Sequence, residues 1–305
     1  MGSLSTANVE FCLDVFKELN SNNVGDNIFF SPLSLLYALS MVLLGARGNS
    51  AEQVEKVLHF SNNVESVKPE FKDSSKCSQA GRIHSDFGVL FSQINQPDSN
   101  YTLSIANRLY GTKTMAFHQG KSIIVEMMYQ TGMFKLAFIE EPQMQVLELP
   151  YVNNKLSMII LLPVGTANLE QVEKQLNVRT FHEWTSSSNM MEREVEVHIP
   201  RFKLEIKYEL NSLLKSLGMT DVFNQIKADL SGISPAKGLY LSKVIHKSYV
   251  DVNEEGTEAA AAAGDSIAVK RLPLRARFLA NHPFLFFIRH IHTNTILFFG
   301  KLASP

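Results

Sequence analysis

Two cysteines in 305 residues, Cys12 and Cys77, are too few for a disulfide framework, so a packed core must hold this chain together. A reducing compartment suits it. An excess of charge of one sign is also lacking, since 29 basic residues stand against 30 acidic ones, and no long-range field draws the chain to nucleic acid or to an anionic membrane. No apolar run approaches the ~18 residues of a membrane span, and no basic region followed by an apolar stretch and a small-residue cleavage site opens the sequence. Without such a leader, the sequon Asn100-Tyr101-Thr102 reads as unused. The chain has no G-x-S-x-G elbow, no G-x-G-x-x-G, no Walker loop, no H-E-x-x-H and no C-x-x-C. Hydrolase, nucleotide and zinc chemistry lack their usual signatures, so no enzyme activity, cofactor or metal is expected.

What is present is a chain with 45% hydrophobic and 19% charged residues, enough to bury one large core or two modest ones. Helical spacing comes first. Val9, Cys12, Leu13, Phe16 and Leu19 mark a helix over 9–19, and 32–44 is a second, almost wholly apolar helix that belongs inside the core. Ser31-Pro32 supplies its N-cap and first-turn proline. A short helix is expected over 51–58, a polar loop over 62–80 and another helix over 82–96. Strands are expected at 101–110, 123–128, 134–138, 146–152, 156–162, 194–204, 239–252, 283–290 and 295–301, with helical pieces at 208–217 and 230–233. Helices followed by many strands predict an α+β fold with large antiparallel sheets, here a single domain over 1–305.

The most informative stretch runs from Glu254 to Arg271. Glu254, Glu255, Gly256, Thr257 and Glu258 lead into Ala259, Ala260, Ala261, Ala262 and Ala263, and a short apolar rise ends at Lys270-Arg271. Alanines favour helix, and the glutamates would sit near the positive end of its dipole. Strand-like flanks on both sides suggest a second use, because small side chains can slide between two strands unobstructed. Lys270-Arg271 is then either a solvated dibasic turn or bait for a protease.

These residues resemble the hinge and reactive-centre loop of a serpin, and similarity extends over nearly the whole chain. Asn27-Ile-Phe-Phe-Ser-Pro-Leu-Ser34, Leu147-Glu-Leu-Pro-Tyr-Val152, Leu156 to Pro163, Val197-His-Ile-Pro-Arg-Phe202, Asn281-His-Pro-Phe-Leu-Phe-Phe-Ile288 and Asn294-Thr-Ile-Leu-Phe-Phe-Gly300 resemble family segments in family order. The start and early helix are similar to the ovalbumin-type branch. The resemblance implies a loop over about 254–275 with its scissile bond after Lys270, which lies sixteen positions beyond Glu254. It also implies a shutter around Ser31, Pro32, Ser34 and His246, although His246 can equally be an ordinary hydrogen-bonded strand histidine. The implied activity is trapping of a trypsin-like serine protease by a monomeric protein in the cytoplasm, with leaderless release as a second destination. His290 and His292, two apart on an expected strand, would face one side, but with no third ligand nearby they read as a solvated face.

One departure stands out. Between Gln119 and Gly120 roughly 80 to 90 residues of the family pattern are absent, far beyond loop-length variation. They would hold two helices and the first and third strands of the main sheet. Intact flanks on both sides suggest a splice-type omission, and the alternative function is then that of a protease substrate or a non-inhibitory binding protein.

Overall fold

The computed structural model describes residues 2–22, 24–60, 75–94, 125–151, 154–235, 238–253 and 275–305. The first helix, α1 (Gly2–Asn22), leads into a three-residue strand β1 (Ile28–Phe30), then α2 (Pro32–Gly45), α3 (Gly48–Val57) and α4 (Ser75–Ile94). α4 starts inside the stretch expected to be loop, and α1 extends beyond its apolar spacing at both ends. Ser31 caps α2 as its sequence predicts, accepting from the Ser34 N–H at 3.2 Å with proline in the first turn.

Strands dominate the rest: β2 (Met127–Ile139), β3 (Met144–Pro150), β4 (Leu156–Pro163), β5 (Met191–Pro200), β6 (Phe202–Glu209), β7 (Ile245–Val252), β8 (Ala276–Leu279), β9 (Phe284–His290) and β10 (Thr295–Leu302). Eight form one sheet in the order β1-β10-β9-β4-β3-β2-β5-β8, and β6 and β7 form a separate two-stranded ribbon. Every described pairing is antiparallel except β5 with β8.

Several expectations need correction. The strands at 123–128 and 134–138 are, where described, one continuous strand, β2, whose first part pairs with β5 and whose last part pairs with β3. The single strand at 194–204 is two strands in different sheets. Pro200 ends β5, Arg201 donates its N–H to the Glu126 carbonyl at 2.8 Å, and the chain leaves for the ribbon; a proline cannot extend a ladder on both sides. Residues 230–233 form a turn rather than a helix, and 239–244 carry no strand before β7. The piece at 208–217 is strand up to Glu209 and helix only over α7 (Asn211–Ser216). Two unforeseen helices, α5 (Leu169–Gln175) and α6 (Val178–Thr185), each start at a reciprocal capping box, Asn168 with Gln171 and Asn177 with Thr180. The expected strand at 101–110 and the junction of Gln119 with Gly120 lie outside the described residues.

The centre of the large sheet is buried on both faces, which explains the nearly continuous apolar runs of β4, β9 and β10. One face packs on the helices: Phe287 and Phe299 lie in the same cluster as Phe11, Phe16 and Leu36, with the Phe16 and Phe299 rings 5.0 Å apart. The other face meets the ribbon, where Phe29, Phe284 and Phe286 join Phe202 and Leu204 in a second cluster. Cys12 is buried in the first cluster, and burial pushes its thiol pKa up, so it is an inert apolar filler.

Two charge pairs sit inside this packing. Arg289 on β9 meets Glu148 on β3 at 2.9 Å, and Lys301 on β10 meets Glu173 on α5 at 2.8 Å, with Asn20 of α1 bridging both partners. Burial alone would raise the Glu148 pKa, but Arg289, helped by the Ser157 hydroxyl and Lys135, holds the carboxyl below its ordinary value. Removing one member of such a pair strands a charge. Lys301→Ala is therefore expected to lower unfolding stability by about 3 to 5 kcal/mol, measured by urea denaturation, whereas Lys174→Ala, which breaks the exposed pair with Glu170, should leave the midpoint unchanged.

Candidate functional site

The ribbon shows strict alternation. Phe202, Leu204, Ile206 and Tyr208 on β6 stand opposite Val252, Val250, Ser248 and His246 on β7, all on the inward face. Lys203, Glu205 and Lys207 alternate with them on the solvent face, where Lys203 pairs with Asp251 at 2.8 Å and Lys247 pairs with Glu205. The inward face is apolar at the Phe202 end and polar at the Tyr208 end, and the polar end meets β1 and the start of α2.

At that meeting point the structure brings the expected shutter residues together. His246 is buried, and its Nε2 accepts the Ser31 N–H at 2.9 Å. Ser31 also donates its hydroxyl to the Leu297 carbonyl of β10 at 2.7 Å while capping α2. Pro32 and Ser34 are buried in the first turn below it. One serine thus ties helix, sheet and ribbon. Two further side chains, which the residue pattern alone did not single out, complete the contact: the Tyr208 hydroxyl accepts the Phe29 N–H at 3.2 Å, and the Ser248 hydroxyl donates to the Phe29 carbonyl at 2.6 Å. Burial pushes the Tyr208 pKa up to about 12, so it stays a neutral phenol.

The expected bait lies outside the described residues: Lys270, Arg271, Glu254, Glu255, Gly256, Thr257, Glu258 and Ala259 through Ala263 all fall within 254–274. Its two anchors are described. The chain leaves the ribbon at the end of β7, beside the Lys203–Asp251 pair, and re-enters at β8 in the large sheet, where Arg275 meets Glu194 at 2.9 Å. The anchors therefore belong to different sheets. Among the described residues, β7 pairs with β6 alone.

The histidine pair is not a metal site. His290 ends β9 and is buried, with Nδ1 2.9 Å from the Thr293 hydroxyl, whereas His292 lies exposed in the turn to β10. The strand ends at His290, two residues before His292, so the two do not share a strand face. Among the described residues no three His, Cys, Asp or Glu side chains are grouped to hold a metal, and no helix is long and apolar enough to cross a membrane.

Accepting from Ser31 requires a neutral imidazole, and burial pushes the His246 pKa down from 6.5 to about 4. Above pH ~6.5 the ring is neutral in both folded and unfolded chains and its contribution is complete. As the pH falls from there towards 4, the unfolded chain takes up a proton that the folded chain refuses, and stability drops. His59 acts in the opposite sense and in another window. Its hydrogen bond to Asp14 raises its pKa, so its contribution is full below pH ~6.5 and is lost as the pH rises through the raised value. Lowering the pH from 7 to 5 should therefore cost the parent about 2 kcal/mol more than His246→Gln, which keeps an acceptor for Ser31 but cannot titrate. Equal losses in urea midpoints at the two pH values would show that His246 is not the group responsible.

Comparison with known proteins gives the family. The sequence model of the family described as serpin (serine protease inhibitor) matches residues 6–120 and 112–305, two stretches that meet where the pattern breaks. Human Serpin B11 is 67% identical, and mouse Serpin B11 52%, each over 392 aligned positions that cover all of both chains. Those 392 positions exceed the 305 residues here by 87, in line with the expected internal gap. Horse leukocyte elastase inhibitor is 38% identical, again with both chains covered in full. Among solved structures, uncleaved ovalbumin superposes with a TM-score of 0.79 at 31% identity, covering 99% of this chain and 100% of that one. A loop-inserted, cleaved ovalbumin mutant gives 0.71 at 28% identity over the same shares. The chain belongs to the serpin family, with an ovalbumin-like fold shortened by an internal stretch.

Proposed function

We propose that this chain carries the bait of a trap-type inhibitor of trypsin-like serine proteases, and that its shortened form works mainly as a substrate for them. A protease would attack the bond after Lys270 and form an acyl-enzyme, and the segment from Gly256 would then enter the sheet beside β7, with Thr257 the first side chain to go in. Lys270 places a cation in an acidic specificity pocket, and Ala259 through Ala263 offer no bulk to slow entry. On this reading the protein is a monomer in a reducing compartment, needs no cofactor and catalyses nothing itself, and the internal gap is a splice-type omission.

The observation that carries the reading is the place of β7. It runs directly into Glu254 and is hydrogen-bonded along its length to β6 on one edge. In a trap, free energy comes from laying a new strand between two existing ones, each supplying half of a ladder. On the family resemblance, the 87 absent positions would include the strand that pairs with the far side of the inserted loop. A loop entering here would keep the β7 half and lose the other, so deacylation outruns insertion.

Incubation with trypsin, followed by denaturing gels and mass spectrometry of the C-terminal fragment, tests both halves. The dominant early cut is expected after Lys270 and the second after Arg271, because Leu272-Pro273 favours extended backbone; a first cut outside 264–274 overturns the assignment. Covalent complex per cleavage should be far lower than for a version with the missing stretch restored from a relative, and equal yields would show that the remaining strands close the gap. In the restored version Thr257→Arg should abolish the gain in heat resistance after cleavage, because a long cation cannot be buried between strands without a partner.

A further inference from the structure

β2 has strands on both sides only near its end. Residues 127–136 pair with β5 along one edge, but β3 covers the other edge only from Lys135 to Ile139; beyond Glu148, β3 continues on β4 and leaves β2. Over 127–134, then, no strand pairs with that edge among the described residues. Such an edge normally carries a lysine, a proline or a bulge against unwanted pairing. This one has none: Met127-Met-Tyr-Gln-Thr-Gly-Met-Phe134 holds no charge and no proline, and its register with β5 runs without a shift. Held along β5, it is already extended, so a further strand would meet an ordered template.

The two faces of this segment differ. Met128 and Phe134 pack inward against the second apolar cluster, whereas Tyr129, Thr131 and Met133 lie on the solvent face. Tyr129 and Met133 are 61% and 60% exposed, and the Tyr129 hydroxyl lies 2.8 Å from that of Thr131. The row is complementary to itself. A second copy laid antiparallel, Thr131 opposite Thr131, sets each Tyr129 ring against a Met133 thioether, each Gln130 against Gly132 and each Met128 against Phe134. Inward residues meet inward ones and outward meet outward, as the pleat requires, and sulfur on an aromatic ring is a favourable cross-strand pair. Neighbouring registers are worse. An axis at Gln130 sets the Glu126 carboxylate against Phe134, and one at Gly132 needs Lys135 and Leu136, whose edge β3 already holds.

We propose that the free edge of β2 is a self-pairing surface, where two copies of this chain join about a two-fold axis at Thr131. The joined sheet then runs β8-β5-β2 in one copy and β2-β5-β8 in the other. Each β8 stands two strands from the join, so each copy keeps its own loop anchors. A ladder over 128–134 is small for a permanent dimer, and the dissociation constant is roughly 10 to 100 μM. The monomer of the reading above is the dilute form that meets a protease.

Sedimentation velocity of the intact chain, run well below and well above that constant, should show monomer passing to dimer; a parent that stays monomeric at its highest soluble concentration overturns the proposal. Thr131→Lys places like charges opposite one another on the axis, yet each lysine still faces Glu196 of its own β5, so the fold, checked by circular dichroism, should hold. Its dissociation constant should rise about fivefold or more, and an unchanged constant overturns the pairing. Disulfide crosslinking in a Cys77→Ser background, where buried Cys12 is the other thiol, reads the register. Thr131→Cys should give a covalent dimer on mild oxidation, because Cα atoms facing each other on the axis lie about 4.5 to 5.5 Å apart. Tyr129→Cys should not crosslink to itself, being about 13 Å from its own copy across the join, but should crosslink when mixed with Met133→Cys. Any other pattern overturns the two-fold pairing at Thr131.

Discussion

The backbone groups on the outer edge of β1 set the terms for much of this molecule. Phe29 is buried between two aromatic neighbours, Phe286 and Phe298, and the chain then turns into α2 with no room for solvent at Ser31. Buried N–H and C=O groups must find partners. They find them on the ribbon, and this requirement dictates which residues can stand at its inner polar end. An acceptor must face Phe29 N–H, a donor its carbonyl and a second acceptor Ser31 N–H, which selects a neutral tyrosine, a serine and a neutral imidazole. The depressed pKa of His246 follows from the same demand, since a protonated ring would present a donor to a donor while burying a charge.

The ribbon itself could not stand alone. Two strands with one inward face are marginal in water, and this pair is held at two ends by different physics. Phe202 and Leu204 join the second apolar cluster, with Phe202 5.4 Å from the Phe286 ring. The other end is held by hydrogen bonds. Apolar contact tolerates small sliding, whereas hydrogen-bond geometry does not. The polar end is therefore where register is fixed, and where a change of pH or of one side chain is felt.

Much of this was legible from residue order alone, and where it was not, the reason is physical. The all-apolar runs of β9 and β10 and the capped start of α2 followed from pattern and local chemistry, since strands buried on both faces and serine-proline helix starts leave plain marks. The fused reading of 194–204 failed because alternation continues across Pro200 while the strand changes sheets, and pairing partners are not encoded in period. α5 and α6 were passed over because their apolar stripes are short; the signals that could have found them are the Asn-x-x-Gln and Asn-x-x-Thr boxes at Asn168 and Asn177. Ser31 and His246 could be placed together through family likeness. Tyr208 and Ser248 could not, because their partner is the Phe29 backbone, and a main-chain group leaves no residue type to read.

The internal gap is instructive about what a fold can lose. Both cores are closed by residues on either side of the break: α1 and α2 from before it, and β9 and β10 from after it, share one cluster, and Phe29 from before it packs with Phe202 and Phe286 from after it. The pairings β1 with β10 and Asn8 with Ile296 likewise join the two ends of the chain, with the Asn8 side chain both giving to and taking from the Ile296 backbone. Such contacts of long sequence separation do not depend on the absent stretch, so the body has the means to assemble without it. The interactions that fix the body thus leave one edge of β7 unused: the strand is held by β6 on one side, and among the described residues no strand pairs with the other.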